Sequence, residues 1–157
     1  MSAVLRPTES WLPMSESDLA MVHVVESDIY EFPWTVGNFR DSIASGYDCR
    51  VLRDGSELIG YAVLMSGAGE AHLLNLSVAR AWQGRGVGSR MLARVLDAAR
   101  EAGCSMLFLE VRPSNEVGRQ LYARRGFCQV GLRKNYYPAR NGREDALVLA
   151  INLQDGA

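Results

Sequence analysis

The sequence predicts a mixed α/β fold, with one central sheet of about seven strands and helices on both of its faces. Strand-like and helix-like patterns of apolar residues follow one another in the order β-α-α-β-β-β-α-β-α-β-β. Residues 105–111, S-M-L-F-L-E-V, are apolar on both faces of a strand. A central strand that helices cover on both sides has this pattern. The length of 157 residues suits one domain with a substantial core.

The first half is predicted to contain a strand, two helices and a β-hairpin followed by another strand. Ser15 or Ser17 can cap the first helix and Thr35 the second. Pro33 separates them, because proline disfavours helix in the residue before it. The D-G pair at 54–55 favours a tight hairpin turn. The predicted elements are strands at 10–14, 49–53, 57–65 and 70–78, and helices at 18–30 and 36–45.

The second half is predicted to contain two helices and three strands. Apolar residues of the first of these helices recur at helical spacing, and Gly103 and Gly126 follow the two helices as stop signals. The predicted elements are helices at 88–102 and 114–125, and strands at 105–111, 127–134 and 146–153. We expect a single domain over 10–153, with a flexible extension at 1–9 and a short tail at 154–157.

Composition argues against several classes of protein. No apolar run reaches the roughly 18 residues of a membrane span, and no secretory signal is evident at the start. Three cysteines without metal or redox spacing indicate reduced thiols in a cytoplasmic protein. His23 and His72 form no metal-ligand pattern and are interpreted as residues without a catalytic role.

Charge is distributed unevenly along the chain. Residues 1–79 carry 4 basic and 11 acidic side chains, and residues 80–157 carry 13 basic and 7 acidic ones. The basic half would suit a polyanionic ligand and the acidic half a cationic partner, although chance placement of surface charge is an open alternative. The basic residues form no dense run with interleaved aromatics, which argues against direct nucleic-acid binding.

The segment 83–88, Q-G-R-G-V-G, lies between a predicted strand and a long predicted helix. Glycines allow a ligand to approach the backbone, and a helix start offers free amides, so the segment is suited to phosphate. Arg80, Arg85 and Arg90 are nearby candidates to supply charge. The spacing fits neither the dinucleotide fingerprint nor the Walker loop.

The pattern Q-x-x-G-x-G resembles the pyrophosphate-binding signature of the GNAT family of acetyltransferases. Residues 115–127, N-x-x-G-x-x-L-Y-x-x-x-G-F, resemble a second signature of that family, with Gly118 in place of the usual alanine. The resemblance covers about residues 10–153. It implies the GNAT fold, splayed between the fourth and fifth strands, with acetyl-CoA as co-substrate in the resulting cleft and no metal.

Further segments resemble the RimI-type branch of the family, the bacterial ribosomal-protein-alanine N-acetyltransferases. They are F-P-W at 32–34, L-E-V-R-P-S-N at 109–115, N-Y-Y-P at 135–138 and G-R-E-D-A at 142–146. The resemblance implies acetyl transfer to the N-terminal α-amine of a protein, the alanine of a small-subunit ribosomal protein. Direct attack in a ternary complex would need no cysteine nucleophile.

Roles are carried over position by position from this resemblance. Glu110 corresponds to the general base and Tyr122 to the general acid. The positions implied for the cofactor are Leu76, Ser77 and Val78 on a strand, Gly84, Arg85, Gly86, Val87, Gly88 and Ser89 in the loop, and Asn115. Tyr136 and Tyr137, predicted to lie in a loop between the last two strands, and Asn75 are assigned to the acceptor. Glu144 and Asp145 beside the tyrosines would add to an attraction for a basic peptide.

Two alternatives stay open at this point. A GNAT enzyme of the same fold can acetylate a lysine side chain or a small-molecule amine. A coenzyme A-binding regulatory module would need neither a base nor an acid.

Overall fold

Residues 8–154 are described by the computed structural model, and within them the chain forms one seven-stranded sheet. The strands are β1 (Glu9–Pro13), β2 (Asp48–Asp54), β3 (Glu57–Gly67), β4 (Glu70–Val78), β5 (Met106–Val111), β6 (Cys128–Ala139) and β7 (Gly142–Asn152). Their order across the sheet is β1-β2-β3-β4-β5-β7-β6. Neighbouring strands are antiparallel except for the parallel pair β4–β5. The predicted mixed sheet is confirmed.

The helices cover both faces of this sheet, as predicted. They are α1 (Leu19–Ile29), α2 (Val36–Ala44), α3 (Val87–Glu101) and α4 (Glu116–Arg124). Side chains alternate along β3, so Tyr61 and Val63 pack with α1 and α2, while Ala62 and Leu64 pack with α3 and α4. None of the helices in the described part of the chain is long and apolar enough to cross a membrane.

The parallel pairing between β4 and β5 is very short. Three residue pairs form it, from Glu70 opposite Met106 to His72 opposite Phe108. β4 nevertheless continues to Val78, paired along its other edge with β3. The two strands therefore part at His72 and leave an open wedge, which agrees with the predicted splay between the fourth and fifth strands.

A bulge changes the direction of side chains just past the point where the strands part. Val63 of β3 lies opposite Asn75, and the next residue, Leu64, lies opposite Leu73. Leu74 is therefore the extra residue of β4, and a β-bulge of this kind turns the strand and re-aims its side chains. As a result Leu74 packs on the α1–α2 side of the sheet.

The predicted loop around Tyr136 and Tyr137 is wrong, because both residues belong to β6. The register of β6 against β7 shifts between Arg133 and Tyr137, and Asn135 has a φ of +52°. Asn135 lies within this irregularity, and the strand then continues to Ala139. Pro138 suits this position because β6 is an edge strand, where a missing N–H need not break the ladder.

The predicted flexible extension over residues 1–9 also needs correction at its end. Glu9 begins β1 opposite Asp54, and its carboxylate is fully buried beside Arg90, with 2.6 Å between Oε1 and Nη2. Residues 1–7 lie outside the described residues, as do residues 155–157 of the predicted tail. The domain thus includes Glu9, which ties the first strand to α3.

Gly60 of β3 marks the tightest contact between the sheet and α3. A β-carbon there would lie 2.6 Å from Sδ of Met91 and 2.9 Å from the carbonyl oxygen of Ser77. Gly60→Ala should therefore lower the free energy of unfolding by about 1–3 kcal/mol, the usual cost of overpacking. Gly67→Ala, on the same strand where a β-carbon meets nothing within 4 Å, should change it by less than about 0.5 kcal/mol. Urea denaturation of both variants measures this, and equal effects would contradict the packing argument.

Candidate active site

The turn between β4 and α3 has the backbone that a phosphate site requires. Gly84 and Gly86 have φ values of +76° and +77°. Glycine adopts this left-handed region of the backbone more readily than other residues do. A β-carbon at Gly84 would meet no atom within 4 Å, and one at Gly86 would approach Arg90 at 3.9 Å. α3 begins at Val87 without a side-chain cap, so amides of its first turn lack helical acceptors. The arrangement fits a pyrophosphate group, which would accept hydrogen bonds from these amides.

Gly88 serves a different purpose from the other glycines of the loop. A β-carbon there would lie 3.5 Å from Cδ2 of Leu121 and 3.7 Å from Cγ2 of Val78. Gly88 therefore lets α3 start close to both β4 and α4, and it requires no left-handed backbone.

Two of the three arginines predicted to supply charge are held by carboxylates. Arg80 Nε lies 3.2 Å from Asp28 Oδ2, and Arg90 Nη2 lies 2.6 Å from the buried Glu9 Oε1. Arg90 nevertheless stays near the turn, because its Nη1 lies 3.5 Å from the carbonyl oxygen of Arg85. Arg85 stays beside the turn, with its guanidinium 5.0 Å from the centre of the Trp82 ring.

Beyond the last β4–β5 pair, the edge of β4 that faces β5 offers backbone groups to the wedge. Ala79 donates its N–H to the carbonyl of Ile59 on β3 at 2.9 Å. Because backbone groups alternate in direction along a strand, those of Val78 and Leu76 point the other way, into the wedge. The carbonyl of Val78 accepts a hydrogen bond from Gln83 Nε2 at 3.0 Å. Gln83 thus ties the glycine turn to the end of β4.

The side chains of Ser77 and Asn75 lie on the α1 side of β4, in a chain of hydrogen bonds. Ser77 Oγ donates to Asn75 Oδ1 at 2.6 Å, so the Tyr30 hydroxyl, 2.6 Å from the same Oγ, is a donor to it. Asn75 Nδ2 donates to Glu26 Oε1 at 3.3 Å. Burial raises the pKa of Tyr30 to about 12. The amide of Asn75, which was assigned to the acceptor, is thus engaged by neighbours on both sides.

Glu26 is a buried carboxylate that the sequence analysis missed. It is 2% exposed, and it accepts hydrogen bonds from the Tyr61 hydroxyl at 2.7 Å and the Trp34 N–H at 3.0 Å. The signal was present in the sequence, because Glu26 shares the apolar stripe of α1 with Leu19 and Val22. A carboxylate at a core-facing helical position needs partners, and these donors supply them.

Glu110, the predicted general base, lies at the point where β4 and β5 part. Its side chain is 9% exposed, and its Oε1 lies 2.7 Å from Nε2 of His72. Its Oε2 lies 3.7 Å from Nε of Arg133, which reaches across from β6. The sequence analysis interpreted His72 as a residue without a catalytic role and did not predict its contact with Glu110. The signal would have been the parallel pairing of β4 with β5, which places His72 opposite Phe108 on the same face as Glu110.

Tyr122, the predicted general acid, lies on α4 with its ring against Phe127, at a centroid distance of 5.4 Å. It is 9% exposed. Burial raises the pKa of Tyr122, and the nearby hydroxyls of Tyr30 and Tyr137 raise it further. The phenol therefore keeps its proton at neutral pH and is available as a hydrogen-bond donor.

Tyr137 and Tyr136 form the wall that β6 contributes to the site. Their rings meet edge to face at 4.9 Å. The Arg112 guanidinium lies 4.4 Å from the Tyr137 ring centre and 5.7 Å from that of Phe32. Burial and the nearby negative charge of Glu110 raise the pKa of Tyr137, whereas Tyr136 is 44% exposed.

Glu144 and Asp145, expected to attract a basic peptide, are engaged within the protein. Glu144 accepts hydrogen bonds from Arg112 Nη1 and from the N–H of Ser114, both at 3.0 Å. Hydrogen bonds from Ser114 and Arg112 lower the pKa of Glu144. Asp145 Oδ1 accepts from the N–H of Asn135 at 2.9 Å. Both carboxylates therefore hold the Tyr136–Tyr137 wall and the turn before α4 in place.

Asn115, implied as a cofactor contact, caps α4. Its Oδ1 accepts from the N–H of Gly118 at 3.0 Å. A β-carbon at Gly118 would lie 2.6 Å from Asn115 Nδ2. The glycine that replaces the alanine usual at this position therefore leaves room for the Asn115 amide to fold against the helix start.

The chain matches known proteins along most of its length. Residues 19–127 match the Acetyltransferase (GNAT) family. The [Ribosomal protein bS18]-alanine N-acetyltransferase of Haemophilus influenzae is 34% identical over 137 residues, which cover 87% of this chain and 93% of the relative. The protein of the same name from Escherichia coli K12 is 31% identical over 140 residues, covering 89% and 95%.

Solved structures agree with these sequence matches. The crystal structure of the ribosomal-protein-S18-alanine N-acetyltransferase from Escherichia coli superposes with a TM-score of 0.86 at 30% identity, covering 92% of this chain and 94% of that one. Arabidopsis thaliana Naa50, in complex with the bisubstrate analogue CoA-Ac-MVNAL, has the same fold, with a TM-score of 0.79 at 21% identity and coverage of 92% and 99%.

The open turn at Gly86 generates a direct test. Gly86→Val should weaken acetyl-CoA binding about tenfold or more, equivalent to about 1.4 kcal/mol, because the side chain would strain the turn and fill its mouth. Gly103→Val is the matched control, since Gly103 has a φ of +80° with open space around it at the far end of α3. Calorimetry should find acetyl-CoA affinity unchanged in that control. Equal affinities in both folded variants would refute the loop assignment.

Proposed function

Because the chain belongs to the GNAT family of acetyltransferases, we propose that it transfers the acetyl group of acetyl-CoA to the N-terminal α-amine of a protein. The acceptor is the N-terminal alanine of a small-subunit ribosomal protein. The observation that carries this proposal is the identity of 31–34%, over about nine tenths of each chain, to two enzymes named for that reaction. An enzyme with this acceptor works in the cytoplasm.

The wedge between β4 and β5 supports acetyl-CoA as the co-substrate. The amides around Gly86 and Val87 would hold the pyrophosphate, and the backbone of Leu76 would pair with the pantetheine arm. When bound, acetyl-CoA supplies an activated acetyl group as a thioester. A ligand that runs from the glycine turn along β4 brings that thioester toward Glu110, where the strands part.

Proton transfer is the chemistry that this chain's own residues would perform. An α-amine has a pKa of about 8 and must lose its proton before it attacks a carbonyl carbon. Glu110 would take this proton, directly or through a water, so that the neutral amine can form the new C–N bond. Tyr122 would give its proton to the sulfur as the C–S bond breaks. The attacking nitrogen would lose its second proton to solvent, and exchange with solvent would deprotonate Glu110 and reprotonate Tyr122. The products are then the N-acetylated protein, coenzyme A and the original enzyme, without a covalent enzyme intermediate.

The surroundings of Glu110 favour an extended chain end as acceptor. Tyr137 lies near Glu110, and Arg112 packs on its ring at 4.4 Å while bound to Glu144. The Phe32 ring, 41% exposed, lies 5.7 Å from the Arg112 guanidinium. These rigid planar groups would leave a narrow entry, and a narrow entry favours a small first side chain by about 1–3 kcal/mol per methylene.

Removal of each proton carrier should have a distinct effect. Glu110→Gln should lower kcat by about 10²–10⁴-fold, with part of the loss recovered as pH rises and more of the acceptor amine is neutral. Tyr122→Phe should lower kcat by about 10²-fold with little change in acetyl-CoA affinity, because its contribution arises in the transition state. Since its pKa is raised, Tyr122 should not cause a decline in wild-type rate between pH 7 and 10. Full kcat/KM in both variants across pH would eliminate these roles.

The acceptor is tested with a panel of short basic peptides that differ in the first residue. The peptide beginning with alanine should react fastest, and bulky first residues should lower kcat/KM by about tenfold or more, as expected for exclusion by size. An N-terminally blocked peptide with an internal lysine is the control and should not be acetylated. If the blocked peptide reacts as fast as the alanine peptide, the enzyme is a lysine acetyltransferase. If no amine raises thioester cleavage above the background rate, the chain is a coenzyme A-binding module.

A further inference from the structure

We propose that His72 is a positioning residue that holds the Glu110 carboxylate in the orientation needed to accept the proton of the attacking amine. The proposal rests on the proposed acetyl transfer and adds a residue to its machinery. It is carried by the 2.7 Å contact between His72 Nε2 and Glu110 Oε1 at the point where β4 and β5 part.

The direction of this hydrogen bond follows from the chemistry of the two groups. An ionised carboxylate has acceptors and no donor, so Nε2 of His72 must carry the proton, whether the ring is neutral or charged. The contact is short, as charge-assisted hydrogen bonds are. The bond makes the two oxygens of Glu110 unequal, because Oε1 is committed to His72 while Oε2 is left to receive a proton.

Glu110 needs such an anchor because the Arg133 guanidinium competes for its carboxylate. Arg133 Nε lies 3.7 Å from Oε2, and the Arg133 side chain is 55% exposed. Arginine prefers to bind carboxylates with two parallel hydrogen bonds. Without His72, the Glu110 side chain would be free to rotate toward Arg133 and form that pair, which would take Oε2 away from the wedge. The His72 hydrogen bond opposes this rotation.

The surroundings of His72 suit a side chain that acts through Glu110 and not on a ligand of its own. The ring is 25% exposed and lines a cavity of about 350 Å³ at the turn end of the β3–β4 hairpin. Tyr47 and Glu70 are the other titratable residues that line this cavity, and Phe108 lies opposite His72 on β5. From the Glu110 side, the charged and titratable groups that face the pair are Arg133 and Tyr137.

The experiment compares three histidine variants with the alanine peptide as acceptor. His72→Leu should lower kcat by about tenfold or more, a part of the 10²–10⁴-fold that a general base contributes, with little change in KM for acetyl-CoA. His72→Gln, whose amide is a donor of similar reach, should retain most of kcat. His23→Leu is the control, since His23 lies on α1 with only a long contact to Ser27 at 3.4 Å among the described residues, and it should leave kcat unchanged.

A double-mutant cycle separates positioning from a general structural role. Once Glu110 is replaced by glutamine, the added change His72→Leu should alter kcat by less than about twofold, because the group it positions is gone. Thermal unfolding and acetyl-CoA affinity establish that the variants are folded. Full activity in His72→Leu, failure of His72→Gln to restore activity, or an undiminished effect of His72→Leu in the Glu110→Gln background would each overturn the proposal. Loss of the proposed function itself would appear separately, as no acetylation by the wild-type enzyme.

Discussion

The end of pairing between β4 and β5 after His72 and Phe108 is the constraint on which the site depends. Each strand can lose its pairing with the other because it stays paired with a different strand along its opposite edge. β4 is paired with β3 as far as Val78, and β5 is paired with β7, where Val148 lies opposite Glu110. The backbone edges that face the wedge thus have no strand partner there, and neither strand is lost. Such an edge would be a liability on a surface, but here it offers a ladder position to an extended ligand.

The buried carboxylate of Glu26 fixes the α1 side of this wedge. Its hydrogen bonds from Tyr61, Asn75 and the N–H of Trp34 join α1 to β3, to β4 and to the segment before α2. A buried acceptor left without a donor costs about 1–3 kcal/mol, so any movement of α1 away from β4 would be penalised. Ser77 extends the connection to Tyr30. The position of α1 is therefore set by polar contacts as well as by apolar packing.

Sequence reasoning was strongest where structure is determined locally. The order of elements and the glycine turn follow from hydrophobic periodicity, caps and turn residues, and these were predicted correctly. The His72–Glu110 contact joins residues 38 positions apart and becomes visible only when the order of strands is known. The Tyr136–Tyr137 segment was assigned to a loop, whereas it belongs to β6. An edge position and a bulge at Asn135 allow β6 to continue, and neither is evident from local sequence.

The uneven distribution of charge along the sequence is largely evened out in the folded protein. The acidic first half and the basic second half pair with one another, through Glu9–Arg90, Asp28–Arg80 and Glu31–Arg140 at 2.6, 3.2 and 3.5 Å. The last two pairs are exposed and contribute little to stability, but each one reduces the field that the separate halves would project. Glu144, beside the Tyr136–Tyr137 wall, is likewise neutralised by Arg112. Long-range attraction of a basic peptide is therefore weaker than the uneven sequence suggests. Under the proposed function, selection of the acceptor would rest mainly on the shape of the entry around Tyr137 and on the geometry of Glu110.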